Sequence, residues 1–112
     1  MRTSHSPFAP ITPLTFHLLA ALYAGPLHAY ALRDAITRNS GISLTPTSGS
    51  LHHLLTSLIM KRYIEKLEID PIEGRIGRYQ ITPFGMQACE LELDRLKRDI
   101  AIGNMAKKGL LK

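Results

Sequence analysis

The sequence predicts a mainly α fold with a small β-hairpin, a winged helix-turn-helix that carries a long C-terminal helix. Three observations predict it. Three segments with apolar residues at helical spacing follow one another between residues 12 and 62. A stretch alternating apolar and polar residues, broken by turn chemistry, comes next. A long segment with leucines at heptad-like spacing closes the chain.

Residues 1–11 hold small polar residues, two prolines and little periodicity, and are expected to form a flexible N-terminal arm. Thr12-Pro13 starts a helix, a side-chain acceptor followed by a residue with no amide hydrogen to satisfy. Leu14, Leu18, Leu19 and Leu22 repeat along it until Gly25-Pro26. A second helix begins near His28, with Ala29, Leu32, Ala35 and Ile36 on one face and Arg33, Asp34 and Arg38 off it, and Asn39-Ser40-Gly41 ends it. In the third, Leu51, Leu54, Leu55, Leu58 and Ile59 mark an amphipathic helix. From Tyr63 to Ile69 the period changes to that of a half-buried strand, Asp70 to Gly77 supplies a turn, and Arg78 to Ile81 is the partner strand of a hairpin. Thr82-Pro83 repeats the cap-then-proline start, and the last helix passes Leu91, Leu93, Leu96 and Ile100 until Gly103 weakens it. The expected organisation is arm 1–11, winged helix-turn-helix 12–82, and dimerisation helix with basic tail 83–112.

The 112 residues suit one compact domain and leave no room for a multidomain enzyme. Hydrophobic residues at 45% and charged residues at 21% describe a chain that folds. A net charge of +5 favours an acidic partner, nucleic acid or an anionic surface. Cys89 is alone, so an internal disulfide and a Cys-rich zinc framework are excluded and a reducing compartment fits. The longest apolar run, Leu18 to Ala24, is too short to span a bilayer and the first residues lack a signal-peptide core, so the expectation is a cytoplasmic protein without a membrane partner.

In a winged helix-turn-helix the second helix of the pair enters the DNA major groove and the ribbon lies against the backbone or minor groove. Steps of about 100° per residue with the leucines inward turn Gly49, His53, Thr56 and Met60 outward, flanked by Ser50, His52 and Ser57. None of these is acidic. Up to residue 62, Arg2, Arg33, Arg38, Lys61 and Arg62 stand against a single acid, Asp34, whereas the ribbon is slightly acidic. Within that ribbon Arg75 and Arg78 flank Gly77; they either reach phosphate or a narrow minor groove or offset Asp70 and Glu73.

Three segments resemble the PadR-like transcriptional regulators. Phe16-His17-Leu18-Leu19-Ala20-Ala21-Leu22 with Gly25-Pro26-Leu27-His28-Ala29-Tyr30 resembles the family's first helix and its Gly-x-x-His-Gly-Tyr stretch. Ser48-Gly49-Ser50-Leu51-His52-His53-Leu54-Leu55 is similar to its reading helix. Tyr79-Gln80-Ile81-Thr82-Pro83-Phe84-Gly85 is similar to its Tyr-x-Leu-Thr-x-x-Gly signature. The resemblance runs from about Pro13 to the last helix and is to the subgroup with a single C-terminal helix. It implies a homodimeric repressor that dimerises through the first and last helices and is often released by a small-molecule effector; the expected interface residues are Leu14, Leu18, Leu93, Leu96 and Ile100, the expected operator is two-fold, and no cofactor is expected. Helix geometry, charge and the resemblance together make Tyr30, Thr47, Ser48, Gly49, Ser50, His52, His53, Thr56, Arg75 and Arg78 the expected DNA-binding residues. Four positions depart from the pattern: His52 stands where Tyr is usual, Ser57 where a basic residue is usual, Leu44 to Leu51 is a longer approach with its cap at Thr45 or Thr47, and Arg62 occupies a place where Gly commonly closes the helix.

Other chemistries fit the residues less well. Adjacent His52 and His53 diverge on a helix and cannot readily clamp one metal ion. Ser48-Gly49-Ser50 follows no strand and lacks an acid to orient a histidine, and Gly74-x-x-Gly77 is too short for a phosphate fingerprint, so no catalytic residue and no metal site are expected. Cys89 sits among apolar neighbours as a packing residue. Phe84, Ala88 and Leu91 form one stripe for the body of the domain, and Leu93, Leu96 and Ile100 another for a second copy, while Glu90, Glu92, Asp94 and Asp99, interleaved with Arg95, Lys97 and Arg98, are expected on solvated faces and in cross-partner pairs. For an effector, Phe8, Phe16, Tyr23 and Phe84 are the aromatic residues available to line a gap between subunits. The alternatives to a DNA-binding regulator are a winged-helix protein-interaction module and a ligand-binding dimer.

Overall fold

A computed structural model describes residues 9–67 and 77–111. Thr12 opens α1 (Pro13–Ala21): its side chain accepts from the Thr15 N–H at 3.1 Å, and Pro13 fills a position whose amide would lack a partner. The chain then turns through residues 22–25, stopping the helix before the Gly25-Pro26 pair. Leu27–His28 forms β1, a strand of two residues. Its brevity hid it from a reading based on alternation, which needs about four residues.

His28 also caps α2 (Ala29–Asn39), its Nδ1 accepting from the Ala31 N–H. α2 closes with Gly41 at φ 65°, donating to the Arg38 carbonyl, and Ile42, donating to the Thr37 carbonyl. That pair of bonds satisfies two carbonyls the helix end leaves open, and its left-handed position is where glycine costs least. Ile42 follows in the same region at φ 69°. α3 (Ser48–Met60) is capped by Thr47, which settles the choice between Thr45 and Thr47. It ends in the same bond pattern, with Arg62 at φ 67° donating to Ile59 and Tyr63 donating to Leu58.

β2 (Ile64–Lys66) and β3 (Arg78–Ile81) pair antiparallel, Ile64 opposite Ile81 and Lys66 opposite Tyr79. β1 joins the other edge of β3, Leu27 opposite Tyr79 and His28 opposite Arg78. The expected two-stranded ribbon is therefore a three-stranded sheet in the order β1-β3-β2. Residues 68–76, which include Ile69, Arg75 and all but the last residue of the turn expected from Asp70 to Gly77, lie outside the described residues.

α4 (Pro83–Lys107) begins at Thr82, whose hydroxyl accepts from the Gly85 N–H and donates to the Arg62 carbonyl at 2.7 Å. It passes Gly103 without interruption. A helix-interior glycine costs only about 1 kcal/mol, too little to end a helix with this many other residues. Gly109, at φ 75°, follows its end.

The core joins all four helices and the sheet: Leu18, Leu19 and Leu22 from α1 and its cap, Leu32 and Ile36 from α2, Leu51, Leu55 and Leu58 from α3, Ile64 and Ile81 from the strands, and Ala88 and Cys89 from α4. Fully burying a leucine-sized side chain is worth roughly 1.5–3 kcal/mol, so the inner face of α3 is anchored firmly. The body-facing residues of α4 are Gly85, Ala88, Cys89 and Glu92. This corrects two expectations. Leu91 and Phe84 are 39% and 38% exposed, while Glu92 is buried, because the inward stripe lies one position further along than leucine spacing suggests. The Glu92 carboxylate is accommodated by donors, the Ile11 N–H at 3.4 Å and the Arg95 guanidinium at 3.0 Å.

A candidate nucleic-acid interface

Burying Leu51, Leu55 and Leu58 turns the opposite side of α3 to solvent. Gly49, Ser50, His52, His53, Thr56 and Met60 are all exposed and Ser57 is half-buried. A groove lined by His52, His53, Thr56, Ser57, Met60 and Lys61 runs along this side. No part of the described chain covers it. A Cβ at Gly49 would meet nothing within 4 Å, so the fold itself does not require glycine there.

The hydroxyls near the start of α3 are engaged. Thr47 Oγ1 accepts from the Ser50 N–H at 3.1 Å, Ser50 Oγ donates to the Thr47 carbonyl at 3.2 Å, and Thr56 Oγ1 donates to the His52 carbonyl at 3.0 Å. Ser48 Oγ accepts from Arg33 Nη1 of α2 at 2.7 Å, a bond that ties the two helices together at the first turn of α3. Arg33 and Lys61 are the site residues that sequence reading missed. The available signal for Arg33 was its spacing: three residues past Tyr30, it shares that residue's helix face.

Tyr30 is 73% exposed at the start of α2. It lines a second concavity with His28, Arg33, Ser48, His52 and Tyr79. The structure thus gathers Tyr30, Ser48 and His52 around one cleft, and His53 and Thr56 along the adjoining groove. Arg78 lies on the neighbouring strand, exposed and opposite His28.

The residues expected at a subunit interface separate. Leu93, Leu96 and Ile100 are exposed, at 42%, 38% and 64%. Leu14 is half-buried against the core. Leu18 is completely enclosed by its own chain and has no surface to offer a second copy, because it points at the centre of the helical body rather than along its edge.

A third cavity of about 340 Å³ opens between residues 9–12, α1, α3 and the start of α4, with Leu54, Leu58, Lys61, Tyr63 and Phe84 among its walls. Cys89 is buried, and that burial pushes its thiol pKa up, with its side-chain interaction with Tyr23 partly offsetting it and the charges of Glu90 and Glu92 adding to it. Tyr23 donates to the Met86 carbonyl at 3.3 Å, and desolvation followed by the adjacent Cys89 raises its hydroxyl to about 12. Among the described residues no three His, Cys, Asp or Glu side chains converge as a metal site would require, and no helix is long and apolar enough to cross a membrane.

The arrangement has the winged-helix fold of transcriptional regulators. A transcriptional regulator from Clostridium thermocellum superposes with a TM-score of 0.69 at 18% identity, over 80% of this chain and 88% of that one. A Streptococcus mutans protein superposes at 0.70 and 14% identity, over 94% and 97%. Bacillus subtilis PadR in complex with operator DNA superposes at 0.64 and 20% identity, over 76% of this chain and 48% of that one. By sequence, an uncharacterised 37.1 kDa protein of the Streptomyces fradiae transposon Tn4556 is 38% identical over 81 residues. Those residues are 72% of this chain but only 22% of that protein, so the chain spans about a fifth of this relative's length. No family model matches the sequence.

Proposed function

We propose that the chain is a PadR-type, DNA-binding transcriptional regulator without catalytic activity, and that α3 is the element that reads the major groove. The observation that carries this is the outward side of α3: uncovered, free of acids, furnished with imidazoles and hydroxyls, and placed second in a helix-turn-helix whose fold is shared with a regulator crystallised on its operator. Dimerisation through α4 is part of the reading, since Leu93, Leu96 and Ile100 are left open to solvent where a second copy would cover them. Two reading helices would then lie about 34–36 Å apart on a two-fold operator. Repression relieved by a small molecule has its support in the 340 Å³ cavity, because Leu54, Leu58 and Lys61 on its wall belong to α3 or its cap, and filling it would act on the reading helix.

The test is a mobility-shift titration against the DNA upstream of the chain's own gene, repeated at rising salt. Specific binding that weakens steeply with salt is expected, because phosphate contacts release counterions. His53→Ala should lower the preference for that DNA over random duplex. A chain that ignores duplex DNA at low salt, or a His53→Ala variant indistinguishable from the parent, refutes the assignment of α3.

A further inference from the structure

The cleft between α2 and α3 has a chemistry of its own. It has a volume of about 310 Å³, and its polar lining is His28, Tyr30, Arg33, Ser48, His52 and the ring of Tyr79. Among the described residues that line it, none is acidic. Asp34, next to Arg33 in the sequence, is paired with Arg38 one turn further along α2. Arg33 is the only guanidinium or ammonium group among the described lining residues. It holds a neutral acceptor, Ser48 Oγ, rather than a carboxylate, so its charge is not neutralised. His28 spends Nδ1 on the Ala31 N–H, and a neutral imidazole that accepts at Nδ1 carries its hydrogen on Nε2, as a donor. The lining therefore offers several donors and a positive charge to one small space, which is the complement of a phosphate group.

One fact chooses between a free phosphate and a phosphate within a polymer. His52 lines both this cleft and the groove along the outward side of α3, so the two form one continuous surface. Tyr30 and Arg33 also line an adjoining depression with Asp34, Thr37 and Thr45, whose one carboxylate is paired with Arg38. A seat continuous with that groove suits a strand passing along it.

The geometry points to the α2–α3 cleft as the seat of one phosphodiester of the DNA backbone, with Arg33 as the anchor that sets the register of α3 in the groove. This rests on the reading of the chain as a DNA binder and adds a residue and a role that the reading does not contain. The test is the salt dependence of binding to random-sequence duplex. Each phosphate neutralised contributes about 0.9 to the slope of log affinity against log salt. Arg33→Gln should flatten the slope by about that amount per chain, lower affinity equally for operator and random duplex, and leave the helical circular dichroism unchanged. Arg33→Lys, which keeps the charge, should restore the slope. If Arg33 served only to brace α3 through Ser48, its loss would weaken binding equally at every salt concentration. A slope unchanged in Arg33→Gln therefore overturns the phosphate seat while wild-type binding leaves the broader reading standing. A wild-type chain that fails to bind duplex overturns both. Titrating free inorganic phosphate against the His28 and His52 ring resonances separates the sources: shifts with duplex but not with millimolar phosphate support a polymer seat, and saturation by free phosphate alone refutes it.

Discussion

Gly85 shows how a single missing methyl group can hold two elements together. A Cβ there would lie 2.1 Å from the Tyr63 carbonyl oxygen and 2.9 Å from the Ile81 side chain, so the start of α4 can lie against the backbone that follows α3 only if residue 85 has no side chain. Gly85→Ala must open this junction, and because the obstacle is backbone the cost should reach the upper part of the roughly 1–3 kcal/mol typical of overpacking, read as a lower urea midpoint. Across the same helix, Tyr23 and Cys89 form a pair whose protons the native state retains. Cys89 should resist iodoacetamide in the folded chain at mildly alkaline pH and react on denaturation; prompt alkylation of native protein would contradict its burial. For Tyr23 the native hydroxyl titrates near 12 rather than 10, so between those values the folded chain binds more protons than the unfolded one. Stability then falls as pH climbs past about 10. Tyr23→Phe should flatten that fall in urea titrations made at about pH 9 and about pH 11, and an unchanged fall would show that other groups cause it.

At the level of elements, the ends of the helices decide how α3 is held. Thr47 fixes where α3 begins, and the bonds from Arg62 and Tyr63 to Ile59 and Leu58 fix where it stops. Arg62 adopts a left-handed backbone at a cost of about 1 kcal/mol relative to glycine. Arg62→Gly should accordingly raise stability by about 1 kcal/mol in denaturant unfolding, and a loss of stability would mean that the arginine side chain contributes more than its backbone costs. The four helices were legible in the sequence because their caps and apolar stripes agree: Thr12, Thr47 and Thr82 each precede a run of leucine or small apolar residues. β1 was not legible, since Leu27 and His28 become a strand only through pairing with Tyr79 and Arg78, about fifty residues away. The burial of Glu92 was hidden for a similar reason: its partner amide belongs to Ile11, at the other end of the chain. The outward side of α3 could be read from 3.6-residue periodicity alone, whereas for Arg33 local spacing shows only that it shares a face with Tyr30, and its cross-helix bond to Ser48 is not encoded locally.

On the scale of the whole molecule, α4 is the feature that a lone chain leaves unsatisfied. From Leu93 onward every described residue except the half-buried Arg95 is exposed, and the molecule extends to 61 Å in its longest dimension against 24 Å in its shortest. The side of α4 that covers Cys89 and Glu92 continues past the body as Leu96, Ile100 and Gly103, spaced three and four residues apart. Apolar groups so aligned lose free energy when removed from water, at about 25 cal/mol per Å², and a second α4 lying across them would supply that cover. Gly103 adds room, since a Cβ there meets nothing and another backbone can approach closely. Leu96→Glu places a charge at the centre of this stripe and should convert a dimer into a monomer by sedimentation or light scattering, while leaving circular dichroism of the folded body intact. DNA affinity should fall with it by well over tenfold, because one reading helix then binds without the second held about one turn away. Ala101→Glu, off the stripe on an equally exposed side, should change neither property. A Leu96→Glu chain that stays dimeric would move the subunit contact to the other exposed stripe of α4, where Leu91 and Ile102 lie.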